Sequence, residues 1–169
     1  MILAFDVYYH KDSAKTVCIA FEHWEDAEYI QAIEETISPI EPYESGAFYK
    51  RELPCIMQVL DKMNLSDVEY IVVDGYVLLD DAGTPGLGAY LYEKLDRKIP
   101  VIGVAKTNFA KNTRNRVALL RGDSTKPLYV TAIGCSMENA AKQVKSMHGE
   151  FRMPTLLKRL DRLTKGIAL

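Results

Sequence analysis

Changes in the spacing of apolar residues mark out the elements of this chain. Residues 1–9 carry Ile2, Ala4, Val7 and Tyr9 with the β-branched and aromatic content of a strand. The turn-like His10-Lys11-Asp12-Ser13 that follows predicts a hairpin into a second strand over Thr16–Glu22. Ala27–Ile37 is ambiguous by pattern, because alternation at Tyr29/Gln31 and Ile30/Ala32 competes with helix-favouring Glu and Ala; it reads as a third strand. Pro39, Pro42, Ser45 and Gly46 make Ser38–Gly46 a breaker cluster and so a surface loop. Leu53, Ile56, Met57 and Leu60 then recur at helical spacing. They predict a helix from about Leu53 to Met63, with Pro54 in its first turn and Glu52 at its N-terminus.

Glu69–Asp74 (EYIVVD) is almost continuously apolar, the pattern of a strand covered on both faces, and Asp74 ends it before the looser Gly75–Pro85. Leu87–Leu95 predicts a helix and Pro100–Ala105 (PVIGVA) another buried strand, so strand, helix and strand imply a parallel crossover. Val117–Arg121 and Leu128–Ile133 flank Gly122-Asp123-Ser124-Thr125, a second hairpin. Ser136 should cap a helix carrying Ala140, Ala141 and Val144. Pro154 opens a last helix whose apolar stripe is Leu156, Leu157, Leu160 and Leu163. The architecture is α/β, and with no repeat, linker or low-complexity tract the 169 residues read as a single domain.

Composition adds exclusions. A chain of this length, 48% hydrophobic, buries a core without disulfides or structural metal. No apolar run is long enough to span a bilayer or act as a secretion signal, since Asp6 and Asp74 interrupt the two best candidates. Cys18, Cys55 and Cys135 form no CxxC pair, and His10, His23 and His148 form no HxxxH or HExxH spacing. A reducing cytoplasm is expected, and zinc or histidine-based metal chemistry has no support. The net charge of −2 conceals a division: residues 1–105 hold 8 Lys+Arg against 19 Asp+Glu, while residues 106–169 hold 13 against 4. Two segments of opposite charge could pack together, or the acids could collect a cation and the bases meet a polyanion.

Three carboxylates fall at element ends that an α/β sheet can bring together: Asp6, Glu52 and Asp74. Close carboxylates raise one another's pKa unless a cation neutralises them, and Mg²⁺ or Mn²⁺ prefers such oxygen ligands. Singly, each has an ordinary use: a hairpin hydrogen bond for Asp6, the helix dipole for Glu52, an Asx turn for Asp74. Lys106 follows PVIGVA directly and should emerge at the carboxyl edge of the sheet, where it could hold a phosphate or simply snorkel. Beyond it, KTNFAKNTRNR sets Lys111, Arg114 and Arg116 around Asn and Phe109, the composition of a backbone-tracking loop or of a solvated one. Neither Gly83–Gly88 nor Gly103–Thr107 has the order of a nucleotide-binding glycine loop.

Taken in order, FDVYY, PYESGAFYKRELP, VVDGY, PVIGVAK, PLYVT and FRMP resemble endonuclease V across nearly the whole chain. The resemblance implies a ribonuclease H-like mixed sheet, its first three strands antiparallel and the next parallel, flanked by helices; the third segment is then a strand. It implies an endonuclease of DNA repair or RNA processing that recognises hypoxanthine (inosine) in DNA or RNA and hydrolyses a nearby phosphodiester bond on its 3′ side. Asp6, Glu52 and Asp74 would hold Mg²⁺, with Mn²⁺ an alternative, and Lys106 would complete the catalytic set. Tyr43 would be the wedge that parts the strands. Gly75, Lys111, Arg114 and Arg116 would meet the substrate.

The chain departs from that family at several places. Tyr76–Gly83, with Asp80 and Asp81, replaces a basic loop after the DG turn. Ala132-Ile133-Gly134-Cys135 stands where the family's Pro-Gly-His-Arg is expected, which puts Gly134 at the position of an active-site histidine. The wedge reads Glu44-Ser45-Gly46 with a proline lost, and the chain begins almost at Asp6. Exposed carboxylates at Glu44, Asp80 and Asp81 would repel a phosphodiester by roughly 1 kcal/mol each. These departures leave two alternatives beside the endonuclease: a non-catalytic module that binds nucleic acid or protein, and a phosphoesterase acting on a different phosphate ester.

Overall fold

The computed structural model describes residues 1–40, 42, 44, 45 and 47–166. Seven strands, β1 (Ile2–Tyr9), β2 (Ala14–Phe21), β3 (Gln31–Ile37), β4 (Tyr70–Asp74), β5 (Val101–Ala105), β6 (Val117–Leu119) and β7 (Leu128–Ile133), form one sheet. Their order is β3-β2-β1-β4-β5-β7-β6. The first three are antiparallel, β1, β4 and β5 are parallel neighbours, and β7 and β6 run antiparallel at the far side. The helices are α1 (Phe48–Leu60), α2 (Leu87–Lys94), α3 (Met137–Ser146) and α4 (Thr155–Lys165). This is the mixed, ribonuclease H-like α/β arrangement expected from the motifs.

Alternate residues of the central strands feed two separate cores. Ile2, Ala4, Val72, Ile102 and Val104 pack with the apolar faces of α3 and α4 on one side. Leu3, Phe5, Ile71, Val73 and Val101 pack with α1 and α2 on the other. Burial on both faces is why EYIVVD and PVIGVA are nearly unbroken apolar runs. β3, by contrast, alternates exposed and half-buried residues, and Glu34 and Glu35 on this edge pair with Lys15 and Lys62. Charged side chains along an edge strand deter further pairing.

One boundary differs from the sequence expectation in a way that matters. α1 begins at Phe48, so Pro54 lies inside the helix and Glu52 is internal rather than at its N-terminus. Tyr49, Leu53, Ile56 and Leu60 continue one apolar stripe against the α1–α2 core, and this stripe outweighs the single backbone bond that Pro54 cannot donate. The helix-dipole role for Glu52 is therefore set aside. Tyr43 and Gly46 lie outside the described residues.

The glycine of PVIGVAK has a steric reason. A Cβ on Gly103 would collide with the Gly75 carbonyl and stand 2.6 Å from Thr131 Oγ1. The turn after β4 crosses directly over β5 here, held by Gly75 N donating to Val104 O at 3.1 Å and Val77 N donating to Thr131 Oγ1 at 2.8 Å. Gly75 itself has φ +114°, a conformation that favours glycine. Gly103→Ala should displace this turn and destabilise the protein by about 1–3 kcal/mol, as overpacked sites do. Urea denaturation measures it, and an unchanged midpoint would contradict this reading of the crossing.

Candidate active site

Strand register builds the centre of the site. β1 and β4 pair in parallel up to Phe5 opposite Val73, so the next residues, Asp6 and Asp74, stand side by side where that ladder stops, Asp6 still paired with β2 and Asp74 with β5. β4 and β5 pair up to Asp74 opposite Val104, and Lys106 emerges just beyond. All three stand at the carboxyl edge, where open α/β sheets bind ligands. They line one cavity of about 30 Å³ together with Val72, Val104 and residues of α4, room for a water-sized guest.

α4 contributes what the motifs missed. Asp161 lines the same cavity, and Thr164 Oγ1 donates to Asp6 Oδ2 at 3.0 Å while also bonding Asp161 O at 2.8 Å. Lys165 Nζ lies 2.9 Å from Asp161 Oδ1. The sequence does hold a signal: Asp161 is the sole acid among Lys158, Arg159, Arg162 and Lys165, and Thr164 takes a buried position in an apolar stripe. Gly134 lies away from this group. Because β7 is antiparallel to β5, Gly134 lies against Pro100 and Tyr92 at the opposite edge of the sheet. The site's fourth side chain comes from α4 instead.

Glu52 approaches from the other layer, on α1. It is 3% exposed, and its Oε2 has no hydrogen-bond partner among the described residues. The Tyr9 hydroxyl faces this carboxylate, and the Arg51 guanidinium lies 3.8 Å from the Tyr9 ring centroid; both act to lower the Glu52 pKa without cancelling the effect of burial. Glu52 does not line the small cavity, but the charges of Asp74 and Asp6 both reach it.

Electrostatics unite the set. Burial raises the Asp6 pKa to about 6, and Asp74 and Asp161 add to it, while bonds from Thr164 and Val7 N oppose the shift. Burial first, then Asp74 and Asp6, hold Glu52 well above the ordinary carboxylate range. Asp74 is also raised, mainly by burial, with Lys106 opposing. It touches water at the strand end yet is surrounded by protein, the condition of a group at the floor of a cleft. Among the described residues no arginine holds Asp6 or Asp74 in an ion pair, and the Arg51 charge offsets only part of the rise at Glu52.

This donor set, all oxygen and all electrostatically strained, fits a hard divalent cation, and the buried Glu52 carboxyl fits it too. Among the described residues no three Asp, Glu, His or Cys side chains stand as a formed metal cage. Asp6 is turned to Thr164 and Val7, so rotation of side chains would be needed to close one.

The acidic loop after the DG turn is turned inward. Asp80 accepts from Thr84 N at 2.9 Å and Thr84 Oγ1 at 2.6 Å. Asp81 accepts from Thr113 N, Thr113 Oγ1 and Arg114 N at 2.6–2.8 Å. Buried Asn112 donates to Leu78 O, and Asn115 to Asp80 O. These carboxylates therefore brace the basic loop instead of opposing a phosphate. On that loop Lys111 and Arg114 are exposed. Arg116 is occupied internally, bonded to Asn108 Oδ1 and 4.6 Å from the Tyr129 ring centroid. Glu44 pairs with Lys50 at 3.0 Å.

A carboxyl that binds its proton more tightly when folded stabilises the fold where it is protonated. The Asp6 contribution is thus present below its ordinary 3.8 and lost as pH rises through about 6. Asp6→Asn should accordingly raise stability near pH 7 by about 1–3 kcal/mol and change it little near pH 4. Urea titrations at the two pH values decide it; a variant no more stable at neutral pH would count against a strained Asp6.

Comparison with known proteins follows the geometry. A model of the endonuclease V family matches residues 1–162. Endonuclease V from Ciona intestinalis, solved with a 24mer DNA containing an inosine followed by a ribo-adenosine, superimposes with a TM-score of 0.82 at 21% identity, over 98% of this chain and 84% of that one. The catalytic domain of human endonuclease V gives 0.77 at 21% identity, over 98% and 80%. Endonuclease V from Bacillus subtilis gives 0.73 at 19%, over 98% and 78%. No curated protein sequence matches. With one family's pattern running through almost every residue, the chain belongs to the endonuclease V family.

Proposed function

We propose that this protein is a divalent-metal-dependent endonuclease that hydrolyses a phosphodiester bond in DNA or RNA near a deaminated base, hypoxanthine by default. Family membership supports the nuclease class, and the Ciona relative is bound to inosine-containing DNA. The observation that carries the reading is the exit of Asp6, Asp74 and Lys106 from adjacent strands into one cavity, faced by Asp161.

Asp6, Glu52 and Asp74 would hold the metal, with Asp161 beside them. When bound, Mg²⁺ or Mn²⁺ supplies charge stabilisation at the phosphate and makes an attacking water more acidic. The Lys106 ammonium, already acting on Asp74, is placed to steady negative charge that grows on the phosphate. Thr164 and Lys165 keep Asp6 and Asp161 from splaying into solvent. Lys111 and Arg114 extend the positive surface along which a nucleic-acid backbone can run. Gly75 gives close access to the backbone of the turn, and Tyr43 keeps the wedge role its motif suggests. Three free thiols agree with a reducing cytoplasmic setting, and no described helix is long and apolar enough to cross a membrane.

Two features had favoured a non-catalytic module, and both lose their force. Gly134 is at the wrong edge of the sheet to replace a catalytic side chain, and Asp80 and Asp81 are hydrogen-bonded inward. The test is a panel of inosine-, uracil- and undamaged single- and double-stranded DNA and RNA, incubated with Mg²⁺ or Mn²⁺. Cleavage next to inosine is expected, falling by about 100-fold or more in Asp6→Asn, the scale of losing one charge-stabilising group, while circular dichroism stays native. A folded wild-type protein that cuts nothing in the panel with either ion would overturn the proposal.

A further inference from the structure

The turn between α3 and α4 carries the most exposed large apolar side chain among the described residues: Phe151 is 71% exposed. An exposed aromatic on a floppy segment would mean little, but this one is held rigidly. Arg121, 5% exposed, reaches under the turn and donates to four carbonyls: Phe151 O at 2.7 Å, Arg152 O at 3.2 Å, Met147 O at 2.6 Å and Gly149 O at 3.2 Å. Thr155 closes the other side, its N donating to His148 O and its hydroxyl 2.9 Å from His148 Nδ1. A buried guanidinium needs such neutralisation by dipoles, and the result is a turn whose backbone is pinned while the Phe151 ring faces outward.

The same turn is tied to the active site. Arg152 Nη2 donates to Lys106 O at 2.6 Å and to Pro127 O at 2.7 Å. Met153, the next residue, lines the cavity with Asp6, Asp74 and Lys106. Phe151 therefore stands at the flank of the reacting centre. Lys158 Nζ lies 5.8 Å from its ring centroid, so a cation accompanies the ring. The segment that carries this turn is basic: residues 106–169 hold 13 Lys+Arg against 4 Asp+Glu, one of them Glu150 next to Phe151, and among the described residues a single ion pair, Arg159–Glu28, joins the segment to the acidic part of the chain.

We infer that Phe151 is a stacking platform for an unpaired base of the nucleic-acid strand beside the cleaved bond, with Lys158 meeting the adjoining phosphate. This rests on the nucleic-acid substrate proposed above. A rigid ring with surplus positive charge fits a polyanion with flat apolar bases better than a second protein surface, which would leave those cations desolvated and unpaired.

The test is fluorescence anisotropy with a labelled single-stranded oligonucleotide containing inosine, in EDTA and at fixed salt. Phe151→Ala should weaken binding by about 5- to 100-fold, the range of one base–aromatic stack, with its thermal midpoint unchanged. Phe151→Trp should bind like wild type, and its indole emission should be quenched by the oligonucleotide above the background of buried Trp24. An abasic site moved along the strand should, at one position, cost wild type the same factor and cost Phe151→Ala nothing further. Wild-type binding that Phe151→Ala leaves intact, an unquenched Phe151→Trp, or an effect of Phe151→Ala confined to self-association would each overturn the inference alone. A wild type that binds no oligonucleotide would remove the nucleic-acid reading and this inference with it.

Discussion

Asp74 ends β4 beside Asp6 of the parallel strand β1, one residue past their last paired positions, Phe5 and Val73, and everything else at the site answers to that. Two carboxylates fixed side by side in surroundings of reduced polarity repel, and neither can move away without breaking the sheet. The fold supplies partial relief from several directions. Thr164 donates a hydrogen bond to Asp6, Lys106 acts on Asp74, and Lys165 holds Asp161. None of these is an arginine fork or a close ion pair to Asp6 or Asp74, so the relief is incomplete and the carboxyls keep raised proton affinity. Strain held by a rigid scaffold and left uncancelled is a mark of function more than of stability.

Glu52 sharpens this point. Its carboxyl comes from the opposite layer, is buried, and keeps a raised proton affinity despite Tyr9 and Arg51 beside it, an arrangement that costs the folded protein free energy. A glutamine or methionine there would satisfy packing more cheaply. The helix that presents it also carries an internal proline, a second local expense borne to keep that stripe and that carboxylate in place. The parts of the chain that contradict local preference are the parts that surround the site.

Much of this was legible in the sequence because it depends on periodicity. Two-sided burial made β4 and β5 readable as continuous apolar runs, and their carboxyl ends placed Asp74 and Lys106. What sequence could not supply was direction and depth. Gly134 matched a short motif by position, but β7 runs antiparallel, which carries its C-terminal end away from the site. Asp161 was hidden in an amphipathic helix whose leucine stripe speaks only of packing. Pro54 imitated a helix start, because in a sequence the first turn and an internal turn differ only by what precedes them. Asp80 and Asp81 looked repulsive as bare charges, while the threonines that absorb them lie four residues away in one case and across a loop in the other.

That last contrast explains the division of charge along the chain. If the acidic and basic parts had evolved simply to attract each other, ion pairs should run between them, yet among the described residues only Arg159–Glu28 does. The acids instead take two other forms: a strained group at the sheet edge, and loop braces satisfied by hydroxyls and backbone amides. Hydroxyl and amide donors neutralise a carboxylate locally without consuming a cation. Lys106, Lys111 and Arg114 are thereby left exposed beyond β5, a positive surface beside a cluster of raised-pKa carboxyls. A divalent cation held there, as proposed, would screen the repulsion that the carboxylates would otherwise present to a phosphate.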